Sequence, residues 1–372
     1  MNLFSFKQLG SSVFTKSISL ETRLWCGNLR LVNFFRVFLA LTVAFSAWSA
    51  DAAWVNGHDY TSLASWAASN HFGQVPAGRA NALTLTNRFA TRLVFEKNSD
   101  TVVVNGLNVA LSYPVALDKT GFLIAQLDLS KTVEPLVYAP LLAPKKITTI
   151  CLDPGHGGKD SGKQVGSHTE KVLTLLLAAE LREQLQRAGF RVIQTRTKDT
   201  FVDLPERPAL ANRQHADLFV CLHFNAFTGD PQSVQGLETY VITPVGAASS
   251  NAQGEGANHG GCVGNRVERR SLLLAYQVHR ALVKNVGVTD RSLRRARFAV
   301  LRDAEMPAVY IEGGYLTHPA ESKKIYAAAY RKQMAAAIVQ GIVAYQKLTA
   351  PPAPPKVNPA STNKVAAVTA KK

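Results

Sequence analysis

Short apolar runs and amphipathic stretches alternate over the second half of this chain. The apolar runs predict strands at residues 147–152, 191–195, 218–223, 237–242, 298–301 and 308–312. Apolar residues at helical spacing predict helices over residues 170–188, 205–215 and 267–286, and one or two closing helices over residues 320–348. Because strands that alternate with helices form sheets covered on both faces, we expect an α/β fold with a twisted, mostly parallel sheet and helices on both faces. Its boundaries would be residues 146–348.

The segment before residue 139 has a different pattern and predicts a separate small α+β domain over residues 53–138. Its candidate elements are a short helix at residues 62–68 and strands at residues 92–96, 101–104, 107–111 and 122–129. Asn105 and Gly106 lie between two of these runs and are a strong hairpin signal. The segment loosely resembles the stalk-like domain related to the N-terminal domain of copper amine oxidases. Wall or partner binding and structural spacing both remain open, and residues 139–145 are the predicted linker.

Both ends of the chain have the composition of segments outside a folded core. Arg36 precedes an apolar run, residues 37–47, and small residues follow it, which predicts a secretory signal within residues 1–52. The run is short for a bilayer span, so we expect export to the periplasm or cell envelope without stable membrane insertion after signal removal; a retained anchor is the alternative. Residues 349–372 are rich in Pro, Ala and Lys and predict a disordered tail.

Composition narrows the class of partner. The formal net charge of +16 favours an anionic polymer or surface. Because no basic and aromatic module of the nucleic-acid-binding type is apparent, we predict no nucleic-acid partner. After the leader the chain has three cysteines, Cys151, Cys221 and Cys262, whose spacing indicates neither a disulfide framework nor a thiolate zinc site.

Four residues with metal-binding or acid–base side chains follow or end predicted strands. His156 lies in the loop Asp-Pro-Gly-His-Gly-Gly after the first strand, and Glu170 opens the helix that follows. His223 ends the third strand and Glu312 ends the last. Since ligands of open α/β sheets bind at the carboxyl ends of the strands, the four should lie close together. Two imidazoles and one carboxylate form a common catalytic zinc set, and an unliganded Glu312 could act as a base.

Several sequence pieces, in order, resemble one family. They are LDPGHGGKDSG at residues 152–162, Glu170 with Lys171, Thr195 with Arg196, ERPALAN at 206–212, ADLFVCLHFNAF at 216–227 and MPAVYIEGGYLTHPAE at 306–321. Residues 147–346 are similar to the zinc-dependent N-acetylmuramoyl-L-alanine amidases of the amidase 3 type. The resemblance implies that His156, Glu170 and His223 hold zinc and that Glu312 is the catalytic carboxylate.

The resemblance also implies a substrate. The expected reaction is hydrolysis of the amide between the lactyl group of N-acetylmuramic acid and L-alanine in peptidoglycan, in wall remodelling or daughter-cell separation. Peptidoglycan is then the partner, with an activator protein left open. A catalytically weak wall-binding protein and another zinc peptidase acting on the peptidoglycan stem are the alternatives.

Other polar residues near these positions are candidates for supporting roles. His168 could approach the metal, and Asp153 and Asp160 are further carboxylates in the first loop, of which we expect Asp153 to orient the loop or His156. Arg196 and Asn225 are candidates for substrate contacts or for holding ligands, with a salt bridge or loop-capping role as the alternative. Residues 243–265, rich in Gly, Ala, Ser and Asn, predict a mobile loop beside the site, either lining a groove or tolerated as an insertion.

Overall fold

A computed structural model of the 372-residue chain describes residues 52–75, 81–138, 146–249 and 260–350. The strands are β1 Ala52–Val55, β2 His58–Ser62, β3 Phe72–Val75, β4 Ala82–Asn87, β5 Arg92–Glu96, β6 Thr101–Val104, β7 Leu107–Ala110, β8 Ala116–Asp118, β9 Gly121–Ala125, β10 Thr149–Pro154, β11 Gln164–Val165, β12 His168–Thr169, β13 Arg191–Gln194, β14 Leu218–Asn225, β15 Leu237–Val241, β16 Asp290–Arg295 and β17 Ala308–Tyr315.

The α-helices are α1 Leu63–Ser69, α2 Gln126–Asp128, α3 Glu134–Val137, α4 Glu170–Arg187, α5 Glu206–Arg213, α6 Glu268–Val286, α7 Ala299–Arg302, α8 Pro319–Tyr326 and α9 Ala328–Thr349. A π-helical turn, Leu129–Val133, joins α2 to α3, and a 3-10 helix, Val263–Val267, leads into α6. Every helix in these described parts is too short or too polar to cross a lipid bilayer.

One long sheet organises the molecule, with the strand order β13-β10-β14-β17-β15-β16-β7-β6-β5-β4-β3. The pairs β13–β10, β10–β14, β14–β17 and β15–β16 are parallel, and β15–β17 is antiparallel. Strands β3 to β7 add an antiparallel meander. The predicted mostly parallel α/β sheet, preceded by a small α+β region, is therefore confirmed.

Alternation along the central strands supplies two apolar cores, one on each face. Leu152 and Val220 face the core that includes α4, α6 and α9, whereas Cys151 and Phe219 face the core that includes α5 and α7. All six residues of β10 are buried, as expected for a parallel strand covered on both sides. The prediction of helices on both faces is thereby confirmed.

One predicted strand is wrong and a second is wrong in part. The run at residues 298–301 is not a strand, because Ala299–Arg302 forms the short helix α7 and buries Val300 and Leu301. The run at residues 122–129 leaves the strand after Ala125 and becomes helical. Short apolar runs fit both structures equally well, and packing decides between them.

The N-terminal region joins the same long sheet. Leu293 of β16 pairs with Val109 of β7, so the meander continues the sheet at its β16 edge. The hairpin predicted at Asn105 and Gly106 is confirmed, with φ angles of 50° and 86° at these residues. Strand β16 was missed because its sequence, DRSLRR, is mostly charged. The domain boundaries remain predictions, and the leader before residue 52, the linker 139–145 and the tail from 351 lie outside the described residues.

Candidate metal centre

A glycine-rich loop carries the first candidate ligand to the carboxyl edge of the sheet. His156 has a φ of 62°, and Gly157 and Gly158 also have positive φ angles, which glycine adopts without steric cost. Gly155 is needed for space, since a Cβ there would lie 2.1 Å from the His223 ring. The loop and the end of β14 therefore approach too closely for any side chain at residue 155.

His156, Glu170 and His223 meet at this edge. Nε2 of His156 lies 3.0 Å from Oε2 of Glu170, and Nδ1 of His223 lies 2.9 Å from Oε1 of the same carboxylate. Glu170 is in the first turn of α4, where the helix N-terminus favours a negative charge. Its oxygens also accept the backbone N–H groups of Lys163 and Phe224. The three predicted ligands are thus brought together by three different elements.

Burial and the neighbouring polar groups shift the pKa values of Glu170 and His156 in opposite directions. Burial alone would raise the pKa of Glu170, but hydrogen bonds from His156 and His223 hold that pKa well below its usual range. Burial would lower the pKa of His156, yet the adjacent carboxylates of Glu170 and Asp160 raise it. The triad therefore holds a stable carboxylate beside imidazoles whose protons a cation can replace.

Glu312 lies beside the triad, directly opposite His223 in the β14–β17 pairing. Its Oε1 accepts a hydrogen bond of 3.1 Å from the Tyr310 hydroxyl. Its Oε2 is buried and, within the described residues, has no hydrogen-bond partner. Burial and the charge of Glu170 raise the pKa of Glu312 well above its ordinary value. This carboxyl is therefore poised to take up a proton.

A cavity of about 280 Å³ gives access to the two histidines. Its walls include Leu204, Phe298 and Val300, and its floor includes His223 and Tyr310. The Tyr310 ring stacks on the His223 ring with centroids 4.5 Å apart. The cavity lining is therefore partly apolar and includes the two histidines of the triad. A larger cleft of about 800 Å³ lies between the meander and β16 and contains none of the four predicted site residues.

The three ligand residues fit a divalent cation. One ligand atom from each of His156, Glu170 and His223 can be chosen so that all three lie within 4.8 Å of one another. A Cβ at Gly162 would lie 2.7 Å from both Glu170 Oε2 and His156 Nε2, so only glycine leaves the space between these atoms clear. This donor set matches catalytic sites with an open coordination position. By its chemistry and arrangement the triad is a candidate metal site.

The carboxylate that holds His156 is Asp160. Oδ2 of Asp160 lies 2.8 Å from Nδ1 of His156, so the imidazole is oriented from the side opposite Glu170. Of the two roles expected for Asp153, orienting the loop or orienting His156, the structure shows contacts of the first kind. Asp153 is fully buried inside β10 and accepts from Arg207, whose Nη2 donates to the His156 backbone carbonyl. Asp153 thus braces the loop through Arg207.

The remaining candidates lie outside the metal set. Arg196 is buried and donates to the carbonyl oxygens of Pro154, Gly155, Lys171 and Lys198, which is the predicted loop-capping alternative. Asn225 donates to Glu238. His168 is exposed and stacks on Tyr326, away from the ligands.

Sequence reasoning missed Tyr310 and Glu238. Tyr310 could have been found, since it precedes Glu312 by two residues on one strand and therefore shares its face. Glu238 carries no local signal, because partners of its carboxylate come from three other strands, β14, β16 and β17.

Residues 243–249 and 260–265 flank the centre of the predicted mobile loop, and residues 250–259 lie outside the described part. Arg297 donates to the carbonyl oxygens of Pro244 and Ala247. Asn265 donates to Thr243 and to Glu268. Both flanks are therefore fastened to the protein near the Phe298 wall of the cavity.

Comparison with known proteins identifies the family of this chain. A family model described as N-acetylmuramoyl-L-alanine amidase matches residues 150–344. The chain is 30% identical over 258 residues to the N-acetylmuramoyl-L-alanine amidase LytC of Bacillus subtilis, covering 68% of this chain and 47% of that protein. It is 33% identical over 218 residues to the amidase AmiC of Neisseria meningitidis, covering 53% and 52% respectively.

A solved structure is also similar to part of this chain. A crystal structure of N-acetylmuramoyl-L-alanine amidase from Clostridium difficile 630 is 33% identical, has a TM-score of 0.46, and covers 55% of this chain and 98% of that one. The chain spans about half the length of the two curated relatives above. Since the family model extends over more than half of the sequence, this chain belongs to the amidase 3 family of N-acetylmuramoyl-L-alanine amidases.

Proposed function

We propose that this protein is a zinc-dependent N-acetylmuramoyl-L-alanine amidase. It hydrolyses the amide between the lactyl group of N-acetylmuramic acid and L-alanine in peptidoglycan. The observation that carries the proposal is the convergence of His156, Glu170 and His223 beside Glu312, whose Oε2 has no hydrogen-bond partner among the described residues, in a chain of this family. The net charge of +16 suits an anionic wall polymer.

The triad residues hold the metal in this proposal. His156 and His223 supply imidazole nitrogens and Glu170 supplies carboxylate oxygens. When bound, zinc supplies Lewis acidity that polarises a carbonyl and makes water a better nucleophile at neutral pH. Asp160 keeps the His156 ring in position from the Nδ1 side.

Glu312 moves the proton. The positive charge held by the triad offsets the charge of Glu170, which favours the ionised Glu312 that a base requires. Oε2 of Glu312 takes a proton from the attacking water and then gives it to the alanine nitrogen as the C–N bond breaks. Tyr310 donates to Oε1, which leaves Oε2 as the atom that exchanges the proton.

The setting of this activity is part of the same proposal. The predicted secretory signal supports export to the periplasm or cell envelope, where peptidoglycan lies. There the enzyme would act in wall remodelling or daughter-cell separation, alone or with an activator protein. The predicted basic tail from residue 349 supports contact with the wall polymer.

Product analysis tests the proposal directly. Purified peptidoglycan is digested with the wild-type protein and with His223→Ala, and the new chemical ends are identified by mass spectrometry. The expected products are a free alanine amine and an intact muramic lactyl carboxylate. His223→Ala should lose zinc and activity together, because two ligands hold a divalent ion far less well than three.

Other products would select an alternative. New ends inside the stem peptide would make the protein a zinc peptidase. Wall binding without any new ends, in a protein with about one zinc ion per chain, would make it a catalytically weak wall-binding protein. Full zinc occupancy in His223→Ala would remove His223 from the ligand set.

A further inference from the structure

A concave pocket of about 420 Å³ opens on the N-terminal region, beside the four-stranded sheet of β1, β2, β9 and β8. Trp54 of β1 borders the pocket and is 72% exposed, although tryptophan is usually well buried in folded proteins. His58 and Tyr113 also border it, and their rings stack with centroids 3.7 Å apart. The pocket thus presents an exposed indole face beside a pair of stacked rings.

Hydrogen-bonding side chains stand next to these rings. Asp59 pairs with Trp54 across the β1–β2 hairpin, so both side chains project from the same face of the sheet. Gln126 follows Ala125, the β9 residue that pairs with Tyr60, and so lies next to Asp59. Asp59 and Gln126 are exposed and line the pocket. One surface therefore offers an indole, a carboxylate and an amide side by side.

The ring pair is held in place before any ligand arrives. The buried Asp128 carboxylate accepts the backbone N–H groups of Ser112 and Tyr113 at 2.6 and 2.9 Å. The Tyr113 hydroxyl donates to the carbonyl oxygen of Gly246 at 2.7 Å. Binding to a preformed wall costs less conformational entropy, because the protein side chains are already ordered.

The chemistry of the lining favours a sugar. A sugar ring has flat C–H faces that pack on aromatic rings, and hydroxyl or acetamido groups at its edges that bond to carboxylates and amides. Among the described residues of the lining, Asp59 has the only formal charge when His58 is neutral, and there is no Lys or Arg. A phosphate polymer would need cationic side chains, so the lining disfavours nucleic acid.

A chain of contacts links this pocket to the metal centre. Gly246 borders the pocket and belongs to the segment of residues 243–249. Arg297 fastens that segment by donating to the carbonyl oxygens of Pro244 and Ala247. The next residue, Phe298, lines the cavity of the metal centre. A polymer bound in the pocket therefore contacts the segment of residues 243–249, which is hydrogen-bonded to the residue that precedes Phe298.

We propose that the pocket formed by Trp54, His58, Asp59, Tyr113 and Gln126 binds N-acetylated sugars of the peptidoglycan glycan strand. The Trp54 indole covers the C–H face of one sugar, and Asp59 and Gln126 bond to its acetamido and hydroxyl groups. This inference rests on the proposed amidase function for the identity of the polymer. It assigns the N-terminal region a glycan-binding role during catalysis at the metal centre.

Calorimetric titration with peptide-free glycan strands tests the pocket in the full chain. Trp54→Ala should bind the strands about tenfold more weakly, equivalent to about 1.4 kcal/mol. Trp54→Phe should recover part of the affinity. Phe89→Ala is the matched control, since Phe89 is an equally exposed aromatic (73%) of the same region outside the pocket. Cleavage of a small soluble muramyl peptide should be unchanged in all three variants.

The outcomes separate this inference from the proposed amidase activity. Equal affinity of Trp54→Ala and wild type for the strands would overturn the pocket assignment, as would an equal loss in Phe89→Ala. Trp54-dependent binding of isolated stem peptides, without binding of peptide-free strands, would overturn the choice of a sugar. Trp54-dependent strand binding by a protein that releases no muramic-linked peptide would sustain the pocket and refute the amidase.

Discussion

Glu238 and Glu312 are direct partners across β15 and β17, yet their carboxyl groups have opposite surroundings. Glu238 is 2% exposed and accepts five hydrogen bonds, from Asn225, Tyr240, Arg291, Arg294 and Tyr315. Glu312 accepts one from Tyr310, and its Oε2 has none within the described residues.

This difference separates a structural carboxylate from a reactive one. Burial alone would raise the pKa of Glu238, but hydrogen bonds and the charge of Arg294 lower it below its usual value. Burial and the charge of Glu170 instead raise the pKa of Glu312. A carboxylate whose two oxygens both accept hydrogen bonds is stabilised in its ionised form and therefore exchanges a proton less readily. An underbonded one beside a cation site keeps the ability to exchange a proton.

The largest expected effect comes from removing the proton acceptor. Glu312→Gln keeps the side-chain volume but cannot accept a proton at neutral pH. Turnover of peptidoglycan should fall on the order of a hundredfold or more, while zinc content stays at the wild-type level. Metal analysis and release of muramic-linked peptides on one preparation check this, with the exposed Glu305→Gln as control. Lost zinc would make Glu312 a ligand, and near-normal turnover would assign the base role to another carboxylate.

A smaller effect is expected where a hydrogen bond holds a ligand. Asp160→Asn removes the charge that faces Nδ1 of His156 and should weaken zinc affinity about 10- to 100-fold. Competition with a chelator measures this affinity. Asp230→Asn should leave it unchanged, because Asp230 accepts the backbone N–H of Gln232 and belongs neither to the triad nor to the cavity lining. Unaltered affinity in Asp160→Asn would show that Glu170 and the loop backbone suffice to orient the His156 ring.

Of the three variants, Glu238→Gln should change amidase activity least. Its clearest effect should be on the free energy of unfolding. Glu238→Gln should lower the free energy of unfolding at pH 7 by about 1.5–3 kcal/mol, since hydrogen bonds to a charged group are lost. The folded pKa of Glu238 is depressed, so its contribution is present above the unfolded value of about 4.5 and is lost as pH falls through the folded pKa.

Urea unfolding at pH 7 and at pH 3 measures this dependence. The difference between wild type and Glu238→Gln should shrink at pH 3. The exposed pair Glu206–Arg213 provides a control, because Glu206→Gln should change stability by less than about 0.5 kcal/mol at either pH. A difference that grows toward acid pH would contradict the assignment of Glu238 as a stabilising carboxylate.

Much of the catalytic region could be predicted from local pattern. The runs around Cys151 and Phe219 are apolar on both faces and indicate buried parallel strands without further information. Since the carboxyl ends of parallel strands lie at one edge, the closeness of His156, His223 and Glu312 followed from the strand pattern. The predicted ends of two strands at His223 and Glu312 are wrong, because these strands continue to Asn225 and Tyr315. Charged β16 and the helix at Ala299–Arg302 escaped this reasoning, because neighbouring elements determine their conformation.

The partners of the site residues were less predictable. Asp160 and Asp153 lie within eight residues of each other and both could have oriented His156. The direction of each side chain decides which carboxylate contacts the His156 ring. Asp153 points from β10 toward Arg207, whereas Asp160 contacts Nδ1 of His156.

Local sequence was sufficient for the fold class and for the expectation that His156, Glu170, His223 and Glu312 lie close together, because strand alternation and chain order are properties of neighbouring residues. Three features needed the tertiary structure: the saturation of Glu238, the open Oε2 of Glu312 and the pocket at Trp54. Each depends on side chains far apart in sequence. Long-range packing decides how many donors reach a carboxylate and how much of an indole the neighbouring side chains cover.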